Sequence, residues 1–251
     1  MRQVKVSQIQ KHKRRRRWLR RAAGALVAVA ALVGVIALVS QHSKPVAPPL
    51  NKATAPVCLP NGKFLAAYRH TRFTDAPPLC ISSKATYDAT VKTDVGTFVI
   101  AMPAAASLQA VDNFVFLAGY RFFDGTKFHR VIRGEFAQGG DPTGTGKGGP
   151  GYAWTGNTPP ASCWAKKDCY PAWSVAYANT TGPSTNGSQF FIVVPGGGKV
   201  LQPDYTLFGT VVKGRAVVAR IVADGGTPAT EQGQPTIVHH IISVRIAKVA
   251  G

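Results

Sequence analysis

The sequence predicts a mainly β fold, a closed antiparallel barrel with two helices. Two observations carry this expectation. From Thr86 onward, short strand-like runs alternate with regular turn punctuation, and only two stretches show apolar residues at helical spacing. The first pair of runs, 87–93 and 97–102, joins through Asp94-Val95-Gly96, a hairpin signal. Ser107 is placed to cap a helix through Val111, Phe114, Val115 and Ala118, with Gly119 as its stop. Further short strands are expected near 126–132, 135–138, 174–178, 189–194 and 206–212. A second helix is expected over 215–223, apolar at 217, 218, 221 and 222, and a last strand over 240–248.

The residues before Thr86 read differently. The chain has 251 residues and a formal charge of +19, placed unevenly: ten Lys or Arg fall within 1–21, and the first acidic residue is Asp75. A basic run of this kind suits nucleic acid, but 22–39 follows without a charge and is rich in Ala, Val and Leu. At helical rise those residues reach about 27 Å, close to the thickness of a hydrocarbon core. The expectation is therefore a basic cytoplasmic tail (1–21) and an uncleaved transmembrane helix (22–39), with everything beyond lying outside the cytoplasm. Nucleic acid is not expected as a partner. Residues 40–57 contain Pro45, Pro48, Pro49 and Pro56 and read as an extended linker, and 58–85 form a small Cys-bounded extension.

The four cysteines, Cys58, Cys80, Cys163 and Cys169, suit an oxidising compartment. Three pairings are open; joining neighbours, Cys58–Cys80 and Cys163–Cys169, is the expected one. Loop closure alone gives these about 3.4 and about 2.4 kcal/mol. No CxxC occurs and no histidine lies near either pair, so no metal site is expected.

The chemistry concentrates in FHRVIRGEFAQGGDPTGTGKGGPGY (128–152) and STNGSQFFI (184–192). They offer one fixed cation, Arg130, set within apolar strand-like sequence, the amides of Gln138 and Gln189, aromatic rings and a glycine-rich loop. They offer no nucleophile, acid–base pair or cofactor cradle. That inventory suits binding and twisting a peptide better than cutting one. Other motifs fail: the loop is not a P-loop, since Gly148 follows Lys147 where Ser or Thr is needed, and Ser188 is not in a GxSxG elbow. His239 and His240 would point to opposite faces of a strand.

With Leu207-Phe208-Gly209, these blocks resemble the signature of cyclophilins, the peptidyl-prolyl cis–trans isomerases, over about 86–249. The resemblance implies an eight-stranded barrel with a helix over each end, no cofactor, and proline-containing polypeptides as substrates. It makes Arg130 the catalytic cation. Gln138 and Gln189 bind substrate backbone and hold the arginine; Phe136, Phe191, Leu201 and Tyr205 line the proline pocket. Ala178 and Asn179 form the strand edge that receives the peptide, and Gly146 lies in the loop of a second lobe. An extra residue at Thr180-Thr181 departs from the pattern. So do Glu135, where phenylalanine is usual, Val200, where eukaryotic members have tryptophan, and Tyr205, where histidine is common. His129 should point away from Arg130 as a structural hydrogen-bonder. The expectation is a monomeric, membrane-anchored isomerase of the plasma membrane acting on exported or envelope proteins. A proline-peptide binding or chaperone module with weak catalysis is the alternative, favoured by Glu135.

Overall fold

A computed structural model describes residues 53–59, 66–167, 169–227 and 233–249. The expected tail, transmembrane helix and most of the linker lie outside these residues, and among the described residues no helix is long and apolar enough to cross a membrane.

The first hairpin forms as expected. β1 (Thr86–Thr93) pairs with β2 (Gly96–Pro103) in register from Thr86↔Pro103 to Thr93↔Gly96. In β1 alternate residues are buried, the period-2 signature of a strand with one face on a core. β9 (His240–Val249) lies along the other side of β1. Across β2 follow β8 (Leu207–Lys213), β6 (Ser174–Tyr177), β7 (Phe190–Val193), β5 (Phe136–Gly139) and β4 (Arg130–Ile132). β3 (Thr126–Lys127) pairs with β9 at the opposite edge.

This corrects the closed eight-stranded barrel. The described residues form nine strands in one strongly curled sheet, a half-barrel whose ladder does not close. The cause lies in the stretch expected as one strand, 126–132. Its first part bonds to β9, and Phe128 extends that edge by donating to His239 O at 3.0 Å. After His129 it turns to pair with β5 instead. The two sheet edges are thus joined by covalent chain and not by a ladder.

The helix α1 (Leu108–Gly119) packs inside the curl, where Phe114 stacks on Phe123 at 4.7 Å and meets Phe208 at 5.2 Å and Phe190 at 5.5 Å. Every residue from Ala110 to Gly119 is buried, so both sides of α1 are covered. The second cover is the Cys-bounded extension. Its Phe73, 1% exposed, packs against Phe116 and Tyr120 with ring centroids at 4.9 and 5.2 Å. Cys58 and Cys80 are joined, as are Cys163 and Cys169.

The helix α1 ends at Gly119, as expected, and the same extension caps that end. A helix end leaves carbonyls without partners. Here Ala66 N–H donates to Gly119 O at 2.7 Å and His70 N–H to Tyr120 O at 3.0 Å. Arg69 Nη2 donates to Phe122 O at 3.2 Å. The residue with positive φ is Arg121, at 57°, not a glycine. Ser107 stands at the N-cap, but its side chain makes no capping bond. At the other end of the extension Cys80 N–H donates to Asp112 Oδ1 at 2.7 Å. Burial pushes the Asp112 carboxyl up to about 6, against the lowering effect of N–H bonds from Cys80 and Ile81.

The second expected helix, α3 (Arg215–Ala223), packs through Val218, Ile221 and Val222. A short helix between the two, α2 (Ser162–Lys166), was not expected. His239 is buried between Asp94 at 3.0 Å and Asp224 at 2.9 Å, while His240 is exposed, so the pair does face opposite ways.

Candidate active site

The site begins at a close approach between two backbones. Gly140, with φ of 84°, lies against Ser188 O, where a Cβ would not fit. Ser188 Oγ donates back to Gly140 O at 2.7 Å. This clip, with β5–β7 pairing through Gln138↔Phe191 and Gly139↔Phe190, brings Gln138 beside Gln189. Arg130 is the cross-strand partner of Gln138 on β4.

A chain of side-chain amides results. Gln189 Nε2 donates to Gly146 O at 3.0 Å and Gly148 O at 2.9 Å. Carbonyls only accept, so this orientation turns Gln189 Oε1 the other way, to receive Gln138 Nε2 at 2.9 Å. Gln138 Oε1 then faces Arg130 Nη1 at 3.4 Å. Guanidinium only donates, so every link has one allowed direction. The polarity starts at the glycine loop and ends on the cation.

Asp141 shapes that loop. Its side chain is fully buried and accepts from Thr143 N (2.7 Å), Thr143 Oγ1 (2.8 Å), Gly146 N (2.6 Å) and Gly148 N (3.1 Å). Burial alone pushes its carboxyl up, but the bonds from Thr143, Gly148 and Gly146 outweigh it and hold the group below the usual carboxylate range. Sequence reading had left Asp141 without a role, although Asp-Pro-Thr-Gly is a turn signal in which the aspartate binds backbone ahead of it.

His129 is a structural hydrogen-bonder, as expected, and its partner belongs to the amide chain: its Nε2 meets Gln189 Oε1 at 3.1 Å. Burial pushes its pKa down, beyond what Asp141 and Gln189 restore. The neutral ring therefore donates through Nε2.

On the other side of the arginine lies an apolar cluster separate from the main core. It contains Ile132, Phe136, Cys169, Tyr170, Ala176, Phe191 and Val193, with Ala178, Leu201 and Tyr205 packed against it. Four of the expected pocket residues (Phe136, Phe191, Leu201, Tyr205) thus come together. The Arg130 guanidinium lies 4.9 Å from the Phe136 ring centroid. Phe136 and Phe191 are 5.6 Å apart, and Tyr205 meets Phe191 edge-on at 5.2 Å. Val200 is exposed and outside the cluster. Tyr170 is the member that sequence reading missed.

A cavity of about 220 Å³ opens between the glycine loop and the end of β6, lined among others by Gln138, Gly146, Ala178, Asn179 and Gln189. Ala178 N–H donates to Gln189 O at 2.9 Å, and Asn179 Nδ2 to Asp204 O at 2.8 Å. The extra residue at Thr180-Thr181 is absorbed locally: both N–H groups donate to Thr185 Oγ1 at 3.1 Å. Glu135 sits in the turn before β5, and no ion pair joins it to Arg130 among the described residues. The extension packs on the far side of the glycine loop, Phe73 N–H donating to Pro150 O at 2.7 Å.

Comparison with known proteins bears on this geometry. The family model described as cyclophilin type peptidyl-prolyl cis-trans isomerase/CLD matches residues 89–246. Peptidyl-prolyl cis-trans isomerase A of Mycobacterium tuberculosis is 36% identical over 189 residues, covering 66% of this chain and 97% of the relative. Peptidyl-prolyl cis-trans isomerase B of Streptomyces anulatus is 37% identical, covering 60% and 91%. Among solved structures, a cyclophilin type isomerase of Cryptosporidium parvum superposes with a TM-score of 0.56 at 27% identity, covering 64% of this chain and 98% of its own. The same protein crystallised in the presence of the dipeptide Ala-Pro gives 0.55.

Proposed function

Since the chain belongs to the cyclophilin-type peptidyl-prolyl cis–trans isomerases, we propose that its Arg130 site turns X–Pro bonds in polypeptides outside the cytoplasm. In this reading a monomer is held at the plasma membrane by residues 22–39. The observation that carries the proposed chemistry is the placing of one guanidinium between the Gln138 amide and the Phe136 ring.

Rotation about an X–Pro bond meets a barrier of about 18–20 kcal/mol, because the nitrogen lone pair is shared with the carbonyl. Acceleration by about 10⁵ needs about 7 kcal/mol of stabilisation that acts on the twisted amide and not on the planar one. In the twisted state the nitrogen becomes pyramidal and basic. Arg130 donates to it while the Phe136–Phe191–Tyr205 cluster holds the ring and the Gln138–Gln189 amides hold the flanking backbone. A charge-assisted hydrogen bond contributes about 1.5–3 kcal/mol, so the remainder comes from holding the peptide and excluding water. No proton moves and no covalent bond forms.

The extracytoplasmic part of the reading is supported by the charge pattern of 1–39 and by two disulfides in a compact body. Its test is twofold. The full chain in detergent micelles should accelerate exchange of Ala-Pro peptides in an NMR exchange assay. Cysteine labelling in intact cells should reach a probe beyond Ser43 but not one before Arg14. Absent acceleration removes the isomerase reading, and a reversed labelling pattern removes the topology.

The alternative of a binding module with weak catalysis needs Glu135 to neutralise Arg130. With no ion pair between them, Glu135 is expected to act on the substrate instead. Glu135→Phe should abolish a preference for Lys-Pro over Ala-Pro peptides worth up to about 1 kcal/mol, smaller at high salt. Comparing the two peptides at low and high salt checks this. A uniform gain across peptides in the mutant restores the neutralisation model.

A further inference from the structure

We propose that Tyr170, anchored by the Cys163–Cys169 disulfide, is a positioning residue that sets the shape of the prolyl pocket and hence its discrimination for the proline ring. The proposal rests on reading the Phe136–Phe191–Tyr205 cluster as that pocket.

Tyr170 is 2% exposed. Its hydroxyl donates to Tyr205 O at 3.1 Å and accepts from Tyr205 N at 2.8 Å. One hydroxyl therefore holds both backbone groups of one pocket residue, which fixes the chain direction there as well as its distance. The Tyr170 ring meets Phe191 at 6.2 Å and Tyr205 at 6.0 Å. Burial keeps the hydroxyl protonated far above its ordinary range, so it remains a donor at any working pH. On a further side, Gly198 lies so close to the Tyr170 carbonyl that a Cβ there would collide with it. Gly198 belongs to the 3₁₀ turn Gly197–Val200, which delivers Leu201 to the pocket. Leu201 and Tyr205 thus take their position from Tyr170, whose ring also packs against Phe191.

Packing of α2 does not hold Tyr170 in place. That helix buries none of its five residues. The tie is covalent: Cys169, 4% exposed and adjacent to Tyr170, is joined to Cys163 with Cα atoms 4.9 Å apart. Cys169 and Tyr170 belong to the pocket's own apolar cluster, not to the main core, and Cys163 packs against that cluster.

The test compares Tyr170→Phe with wild type, as full chains in micelles, by NMR titration with an Ala-Pro tetrapeptide and its Ala-pipecolyl counterpart, whose ring has one more carbon. The variant keeps the ring and removes both bonds to Tyr205. The Ala-Pro Kd should weaken roughly tenfold, the scale of one or two net hydrogen bonds, and the pipecolyl Kd less, so that the ratio narrows. Exchange at saturation should fall by a smaller factor than affinity. Cys163→Ser with Cys169→Ser, which keeps the Tyr170 side chain but removes its anchor, should narrow the ratio in the same direction, and it carries the comparison if Tyr170→Phe does not fold. An unchanged ratio in the folded variants overturns the proposal, as does equal weakening of both peptides. A wild type that binds Ala-Pro without accelerating exchange removes the isomerase reading but leaves the Kd ratio to decide this one. A wild type that binds neither peptide overturns the pocket assignment and this proposal with it.

Discussion

Replacing Arg130 by alanine should lower kcat/KM at least about a hundredfold, a loss of about 2.7 kcal/mol from the transition state. Arg130 is the cation lying between the amide chain and the apolar cluster, so its removal leaves the pocket without a donor at the twisted nitrogen. The fold should survive, because the side chain is half-buried on a three-residue edge strand and the backbone pairing with β5 does not depend on it. Arg130→Lys should also fall, by roughly tenfold or more, since a point charge replaces a planar fork that reaches two partners. NMR exchange together with thermal melts checks both. Near-wild-type exchange in a well-folded alanine mutant would remove Arg130 from the mechanism.

The second large effect is expected at a residue that is fully buried and sits behind the loop. Asp141→Asn puts an NH₂ against N–H donors that now have a carboxylate oxygen. Leaving buried donors unmatched costs about 3 kcal/mol in total. Once the loop loosens, Gly146 and Gly148 no longer hold Gln189, and the direction of the whole amide chain is lost. We expect kcat/KM to fall more than about tenfold, with a matching loss in urea denaturation. The pH dependence separates this from a general packing defect. The folded-state pKa of Asp141 is depressed, so its stabilisation is complete above the ordinary value near 3.9 and is lost as pH falls through the folded value. The stability gap between wild type and Asp141→Asn should therefore be widest near neutral pH and shrink in acid. A gap that stays constant with pH would show that the carboxylate charge is not what the loop depends on.

Much of this could be read from the residues. Alternation in 87–93 and 97–102 marks the hairpin, and apolar spacing marks the helix at 215–223 with its bounds. Arg130, Gln138, Gln189, Phe136 and Phe191 could be named because they sit within long motif blocks, and the structure brings them together. What could not be read depends on partners distant in sequence. Nothing local in 126–132 says that its two halves serve opposite sheet edges. Gly119 ends its helix as the sequence predicts, but the donors that meet the terminal carbonyls, Ala66 and His70, come from the extension. That His129 is a hydrogen-bonder can be read locally, but not that its partner is Gln189, sixty residues on. Tyr170 carries no motif, and its role follows only from where Tyr205 and Gly198 lie.

The open seam has a consequence for how the molecule is made. β1 is sandwiched between β2, its immediate successor, and β9, the last strand. β3 has β9 as its partner in the sheet, and β3 leads through two residues into the strand of Arg130. A ribosome or an export channel releasing the chain from its N-terminal end delivers Arg130, Gln138 and Gln189 well before His240–Val249. Until that last strand arrives, one edge of β1 and the whole of β3 have no ladder partner, and the segment leading into the arginine strand is tied only from the β5 side. Long-range pairing of this kind comes late in folding. The enzyme should therefore gain activity only once His240–Val249 has been released, so that a chain still held at that end stays inactive.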